Sequence, residues 1–318
     1  MRRRRNYLTV WFGIITCLLP ATARSYEFFE QPEKRPGYLG GLTCQTSMCH
    51  GGAAELSKQY MIWKNLDPHS KSYATLTTAW SKRMAESLEI KDPAKSSQCT
   101  VCHAPLAEVE PEWKTSAATV MEGVSCESCH GPASEYLLAH TRMDYSYDQK
   151  VASGLRDLHD LYNRANTCVA CHQTLAPELK QAGHPELVFD FASLQEREPR
   201  HWEEAWTNEQ IWIVGEAVAL REMAYVLSQW EKSDEPHPIN EAGKLATLRE
   251  ITSNRESFPQ FPPEVHSGGI AWVQVMKAAD RLAREFADIE WSKEDSLYLQ
   301  KWMNQTAILA DNPLPESK

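Results

Sequence analysis

Residues 123–132 read Gly123-Val124-Ser125-Cys126-Glu127-Ser128-Cys129-His130-Gly131-Pro132. Two residues separate the cysteines, and a histidine follows directly. The same order returns as Cys99-Thr100-Val101-Cys102-His103 and as Cys168-Val169-Ala170-Cys171-His172. A longer form, Cys44-Gln45-Thr46-Ser47-Met48-Cys49-His50, stands before them and runs into Gly51-Gly52. Of nine cysteines, only Cys17 lies outside these four pairs.

C-x-x-C-H is the attachment pattern of c-type haem. Each thiol adds across one vinyl group, so two sulfurs must reach two edges of one macrocycle. The histidine after the second cysteine then lies under the ring and offers its nitrogen to the iron. A zinc ribbon would need two cysteine pairs and no histidine at a fixed offset. A thioredoxin-like site uses one C-x-x-C near a βαβ pattern, which is not seen. Structural disulfides suit an exported chain but do not demand histidine four times. For Cys44 and Cys49 alone, a disulfide hairpin beside a surface histidine is the competing reading. The completed cysteine count and the following glycines favour haem there too. The expectation is four covalent haems, with His50, His103, His130 and His172 as proximal ligands.

A six-coordinate iron needs a second strong ligand, usually histidine or methionine. Seven of the 11 histidines remain: His69, His140, His159, His184, His201, His237 and His266. His69 follows Pro68 at a helix start, His140 ends a short helical stretch ten residues after His130, and His184 sits in the rigid turn Gly183-His184-Pro185. These three are the expected distal ligands. His159 reads as a solvated helix face flanked by acids, and His237 as an exposed loop. His201 either reaches a haem or opens the next helix, and His266 is open. Met61 and Met143 are the thioether candidates, though methionine is more often core filler.

The chain opens Arg2-Arg3-Arg4-Arg5, runs apolar from Tyr7 to Leu19 and reads Pro20-Ala21-Thr22-Ala23. That is the pattern of a signal peptide cleaved near Ala23. The run is short of the roughly 20 residues that span a bilayer. Cleavage removes four arginines from 33 basic residues, leaving 29 against 43 acidic ones and a net charge of −14. The mature chain is expected to be periplasmic, with no transmembrane segment. At 42% hydrophobic and 24% charged, it reads as a globular protein. Its acidity argues against a nucleic-acid partner, which would call for a basic face.

Trp63-Lys64-Asn65-Leu66-Asp67-Pro68-His69-Ser70-Lys71-Ser72-Tyr73-Ala74, the stretch Gly123–Pro132 and His140 together resemble the tetrahaem cytochrome c-554 family. The resemblance covers roughly residues 40 to 190. It implies haems packed in close pairs, with His69 serving the haem on Cys126 and Cys129, and His140 serving that on Cys168 and Cys171. The family also places a distal histidine between its second and third motifs for the first haem. No histidine lies between His103 and His130, so His184 takes that place, with His201 behind it. The family leaves its second haem five-coordinate, which would open the iron on Cys99 and Cys102.

The expected organisation is a signal peptide over 1–23, a tetrahaem domain of short helices and loops over 24–190, and a helical C-terminal region over 191–318. The fold class is mainly α. Helical patterns run over 202–231, 240–253, 267–288 and 292–310, and Ile213, Ala217, Leu220, Ala224 and Leu227 share one face. Pro236, Pro238, Pro259, Pro262 and Pro263 break the run. Trp202, Trp206, Trp212, Trp230, Trp272, Trp291 and Trp302 read as core of this region rather than as a haem or partner contact.

Function follows as electron transfer between redox partner proteins, a membrane-bound respiratory partner among the candidates. The alternative is a multihaem redox enzyme with one open iron, acting on a small nitrogen or sulfur compound. A third reading makes the C-terminal helices an anchor within a respiratory assembly. No C-x-x-C-K variant, G-x-G-x-x-G, P-loop, G-x-S-x-G or H-E-x-x-H motif is present.

Overall fold

A computed structural model describes residues 37–172, 175–203, 206–230, 242–261 and 271–311. The signal-peptide expectation, His237 and His266 lie outside these residues. The described chain is mainly helical and contains no sheet, as expected. Its extended pairing is limited to one bridge between Tyr38 and Lys114.

The first part is a succession of short helices. They are α1 (Gln59–Leu66), α2 (Ser72–Leu76), α3 (Ala79–Ser87), α4 (Ser97–His103), α5 (Cys126–His130), α6 (Ala133–Tyr136), α7 (Tyr147–Ala152), α8 (Leu161–Val169) and α9 (Pro177–Gln181). Local chemistry stops each one early. Ser128 Oγ accepts the Ser125 N–H at 3.2 Å at the start of α5, and Gly131, at φ +85°, ends it before Pro132. The Asp160 carboxylate accepts the Asn163 N–H at 2.8 Å to start α8.

From α10 (Phe191–Arg197) onward the helices lengthen: α11 (Asn208–Trp230), α12 (Ala242–Ser253), α13 (Trp272–Asp288) and α14 (Lys293–Asp311). The expected start of α11 at residue 202 gives way to Asn208. Gln210 Oε1 accepts the Thr207 N–H at 2.9 Å while Thr207 Oγ1 accepts the Gln210 N–H at 3.3 Å. This reciprocal cap sets the first turn six residues later. Ile213, Ala217, Leu220, Ala224 and Leu227 are wholly buried. Helix α11 is the centre of the bundle.

Val275, Ala278, Ala279, Leu282, Ala283 and Phe286 form the matching stripe of α13, whose alanines let it lie close along α11. Gly215 admits α10, because a Cβ there would stand 2.5 Å from that of Phe191. Trp212 is buried, and Trp206, Trp272, Trp291 and Trp302 pack against the core. Trp202 differs: its ring lies edge-on to His201, 4.9 Å away.

This core extends back to α8. Leu161, Tyr162, Ala165 and Val169 belong to it, and Tyr162 Oη donates to Asp280 Oδ1 of α13 at 2.6 Å. Arg221 of α11 donates to the same oxygen at 2.9 Å. The segment before α8 lies outside that core, and much of its large apolar surface is exposed, as at Met48, Leu66, Met121, Leu138 and Met143. Exposed apolar side chains at this density call for a cover. No helix among the described residues is long and apolar enough to cross a membrane.

Asp295 ties α14 to the loop after α12. Its carboxylate accepts from Arg255, from Ser257 Oγ at 2.9 Å and from Ser292 Oγ at 2.6 Å. Burial opposes its charge, but the hydrogen bonds from Ser292, Arg255 and Ser257 outweigh it and bring the carboxyl down to about 2. A carboxyl depressed by folding adds stability that is complete above its unfolded value near 4 and lost as pH falls towards 2. Urea midpoints measured between pH 5 and 2 should therefore fall less steeply in Asp295→Asn than in the unaltered protein, from a lower start.

Candidate metal centres

On a helix, residues three and four apart share a face. That spacing sets both cysteines and the histidine of the second and third motifs on one side of α4 and α5. The fourth motif runs off the end of α8, where the His172 N–H still donates to the Cys168 carbonyl at 3.1 Å. The first motif is two residues longer, yet the His50 N–H donates to the Cys44 carbonyl at the same 3.1 Å. Its extra residues loop out. A Cβ on Gly51 would stand 1.7 Å from the Gln45 carbonyl oxygen, so only glycine closes that loop. None of the eight cysteines is in a disulfide.

Glu127, inside the third motif, is almost wholly buried. Its carboxylate accepts N–H groups from Leu39 at 2.9 Å, Gly40 at 2.7 Å and Ala133 at 2.6 Å. It thereby fastens the approach to the first motif onto the third. The Cys44 and Cys126 thiols are hydrogen-bonded to each other, and so are those of Cys102 and Cys171. First and third motifs therefore adjoin, as do second and fourth. Trp63 Nε1 donates to the Val124 carbonyl at 3.0 Å, and the Val124 N–H donates to the His69 carbonyl at 3.1 Å.

Each motif histidine faces one histidine from elsewhere in the chain. Ring centres are 6.1 Å apart for His50 and His140, 6.0 Å for His69 and His172, 6.3 Å for His103 and His184, and 6.4 Å for His130 and His201. Metal–nitrogen bonds of about 2 Å on both sides of one ion place two imidazole centres about 6 Å apart. Four pairs therefore have the separation that a shared iron requires. The first pair is nearly parallel, at 16°, and the other three are steeply crossed, at 86°, 66° and 68°.

In six of the eight rings the second nitrogen is also accounted for. Nδ1 of His140, His184 and His201 lies 3.1, 2.8 and 3.3 Å from the carbonyls of Tyr136, Pro185 and Pro199. His69 Nδ1 is 2.9 Å from the Asp67 carboxylate, and His50 Nδ1 is 3.1 Å from Gln59 Oε1. His103 Nδ1 lies 3.0 Å from Thr75 Oγ1, whose own proton goes to the Ser72 carbonyl at 2.6 Å, and 3.3 Å from that carbonyl. An oxygen that can only accept fixes the proton on Nδ1 and leaves the Nε2 lone pair for a metal.

Burial lowers His103 and His172, and brings His130 to about 4, so these rings are neutral, as a ligand must be. Burial likewise pushes the Cys129 thiol up to about 12. The hydrogen bond to Asp67 instead raises His69. Glu198 brings a third ligand atom to Asp67 and His69, all within 4.8 Å of one another, and burial raises it. With Nδ1 engaged by Asp67, that carboxylate serves to orient the ring.

The pairing differs from the expected one, both where the resemblance implied it, for His69 and His140, and where His184 and His201 were put in place of the missing histidine. His69 stands against His172 rather than His130, His140 against His50 rather than His172, and His184 against His103 rather than His50. His201 meets His130 rather than His50. His159 stacks on Tyr147 at 4.1 Å and faces no motif histidine. Met61 and Met143 are exposed. Glu127→Ala should destabilise the holoprotein by about 3 kcal/mol, because three buried N–H groups lose a charged acceptor. Glu127→Gln should lose less, and equal urea midpoints for all three proteins would refute the fastening role.

Residues 43–131 match the family described as Cytochrome c554 and c-prime. No curated protein and no solved structure matches the chain. The matched stretch holds the first three motifs and His69, and ends before His140 and the fourth motif. It supports a c-type cytochrome with covalently bound haem that works in electron transfer.

Proposed function

We propose that this chain is an exported tetrahaem cytochrome that passes electrons between redox partner proteins in the periplasm. The observation that carries the reading is the set of four facing histidine pairs, one for each cysteine motif. A bound haem supplies one reversible electron at its iron. Cys44 and Cys49, Cys99 and Cys102, Cys126 and Cys129, and Cys168 and Cys171 would hold the four groups. His50, His103, His130 and His172 would be the proximal ligands, and His140, His184 and His69 the distal ligands opposite His50, His103 and His172.

The exposed apolar side chains of residues 42–143 suit a segment covered by macrocycles. The adjoining thiols favour close pairs, first with third and second with fourth. Short steps between centres are what a carrier needs. His184, opposite His103, weighs against the enzyme reading, because it occupies the side of the second centre that a substrate would use.

The signal peptide would end near Ala23, with residues 24–190 carrying the haems and 191–318 bracing them through α8. The mature acidic surface would steer the protein to basic patches on its partners, a membrane-bound respiratory protein among them. That association should weaken as salt is added.

The first test is the holoprotein's haem count by pyridine haemochrome, with its ferric EPR spectrum. Four haems per chain are expected, and fewer would refute the tetrahaem reading. The near-parallel His50/His140 pair should give one ordinary rhombic low-spin signal, and the crossed pairs strongly anisotropic ones. A high-spin signal from the second centre that shifts with nitric oxide or hydroxylamine would favour the enzyme instead.

A further inference from the structure

We infer that His201 is the second axial ligand of the haem iron that His130 would bind, in the group attached through Cys126 and Cys129. The residue that closes the third centre would thus come from the approach to the C-terminal helices. This rests on the tetrahaem reading and adds what that reading leaves open.

His201 and His130 have ring centres 6.4 Å apart, within 0.4 Å of the other three pairs. The Pro199 carbonyl takes the Nδ1 proton of His201, so Nε2 carries the free lone pair. His140, His69 and His184 are each committed to another motif histidine, and His159 is stacked on Tyr147. Among the described residues, His201 is the histidine that remains for His130.

The position of His201 is built by its surroundings. Trp202 packs edge-on against its ring at 4.9 Å. The Arg164 guanidinium lies 4.4 Å from the Trp202 ring centre and 5.1 Å from that of Trp206, so it holds the two indoles together. Arg164 sits on α8, one turn before Cys168, and α8 is part of the core formed with α11 and α13. The C-terminal bundle thus fixes His201 through the same helix that carries the fourth motif. The indole N–H of Trp202 is buried and has no hydrogen-bond partner in the protein, which leaves a donor for an oxygen of the bound group.

The test uses the full-length holoprotein and reads haem count and spin state, with His159→Ala as control. In His201→Ala, four haems per chain should remain, one of the four ferric centres should turn high-spin, and added imidazole should return it to low-spin. Four low-spin centres in His201→Ala would overturn the assignment. If that variant fails to mature, His201→Met keeps a ligand of similar reach. It should shift one of four midpoint potentials upward, and four unchanged potentials would overturn the assignment. Fewer than four haems in the unaltered protein would refute the tetrahaem reading instead. Four haems with a quarter of the iron high-spin at the third centre would refute only the role of His201.

Discussion

One metal ion bound on a line between two imidazoles leaves little freedom. The ring centres must stand about 6 Å apart, and each ring must aim a lone pair at the other. Four histidine pairs, one at each cysteine motif, have that separation. Of the short helices, α4, α5 and α8 carry motif cysteines, and the histidines that face the motifs lie in the connections between α-helices. The Tyr136 carbonyl accepts the His140 backbone N–H at 2.8 Å and also lies 3.1 Å from His140 Nδ1, so one turn of chain fixes the ring. Residues 37–160 accordingly leave apolar side chains at the surface where an ordinary domain of that size would bury them.

A segment of this kind has little with which to hold itself together, and two devices compensate. The first is buried polar stitching. Glu127 gathers N–H groups from Leu39, Gly40 and Ala133, so two motifs far apart in sequence share one carboxylate. A buried charge is tolerated when its hydrogen bonds replace those of water, and the benefit is a fixed register between motifs. The second is the bundle around α11. It has a conventional core, with Leu220, Leu282 and Phe286 wholly excluded from solvent. It takes hold of the first part through α8, where Tyr162 and Arg221 both bond to Asp280.

The motifs were legible in the sequence because covalent attachment fixes spacing along the chain. Cys126, Cys129 and His130 must lie on one helical turn whatever surrounds them. The C-terminal helices were legible for a different reason: the period of Ile213, Ala217, Leu220, Ala224 and Leu227 records a buried face. The histidine pairing had no such record. His140 lies ten residues beyond His130, yet faces His50, because α6 turns it towards the looped first motif. Distal histidines approach from whichever strand of chain folds over the ring, and neither order nor distance in sequence encodes that. The C-x₄-C-H motif was ambiguous for the converse reason. Its spacing is irregular, while the hydrogen bond from His50 to Cys44 restores the local geometry of the regular motifs.

The approach to the C-terminal helices also reaches the third motif, where His201 faces His130. The tryptophans of the C-terminal third divide by environment. Trp212 and its neighbours fill the bundle, whereas Trp202 leaves it and meets His201 under the Arg164 guanidinium. Placing the Trp202 indole beside an imidazole, with its N–H unpaired, serves a ring that must be held in one orientation. Because α8 carries Arg164 and ends in the fourth motif, one helix positions residues of both the His130/His201 and the His69/His172 pairs.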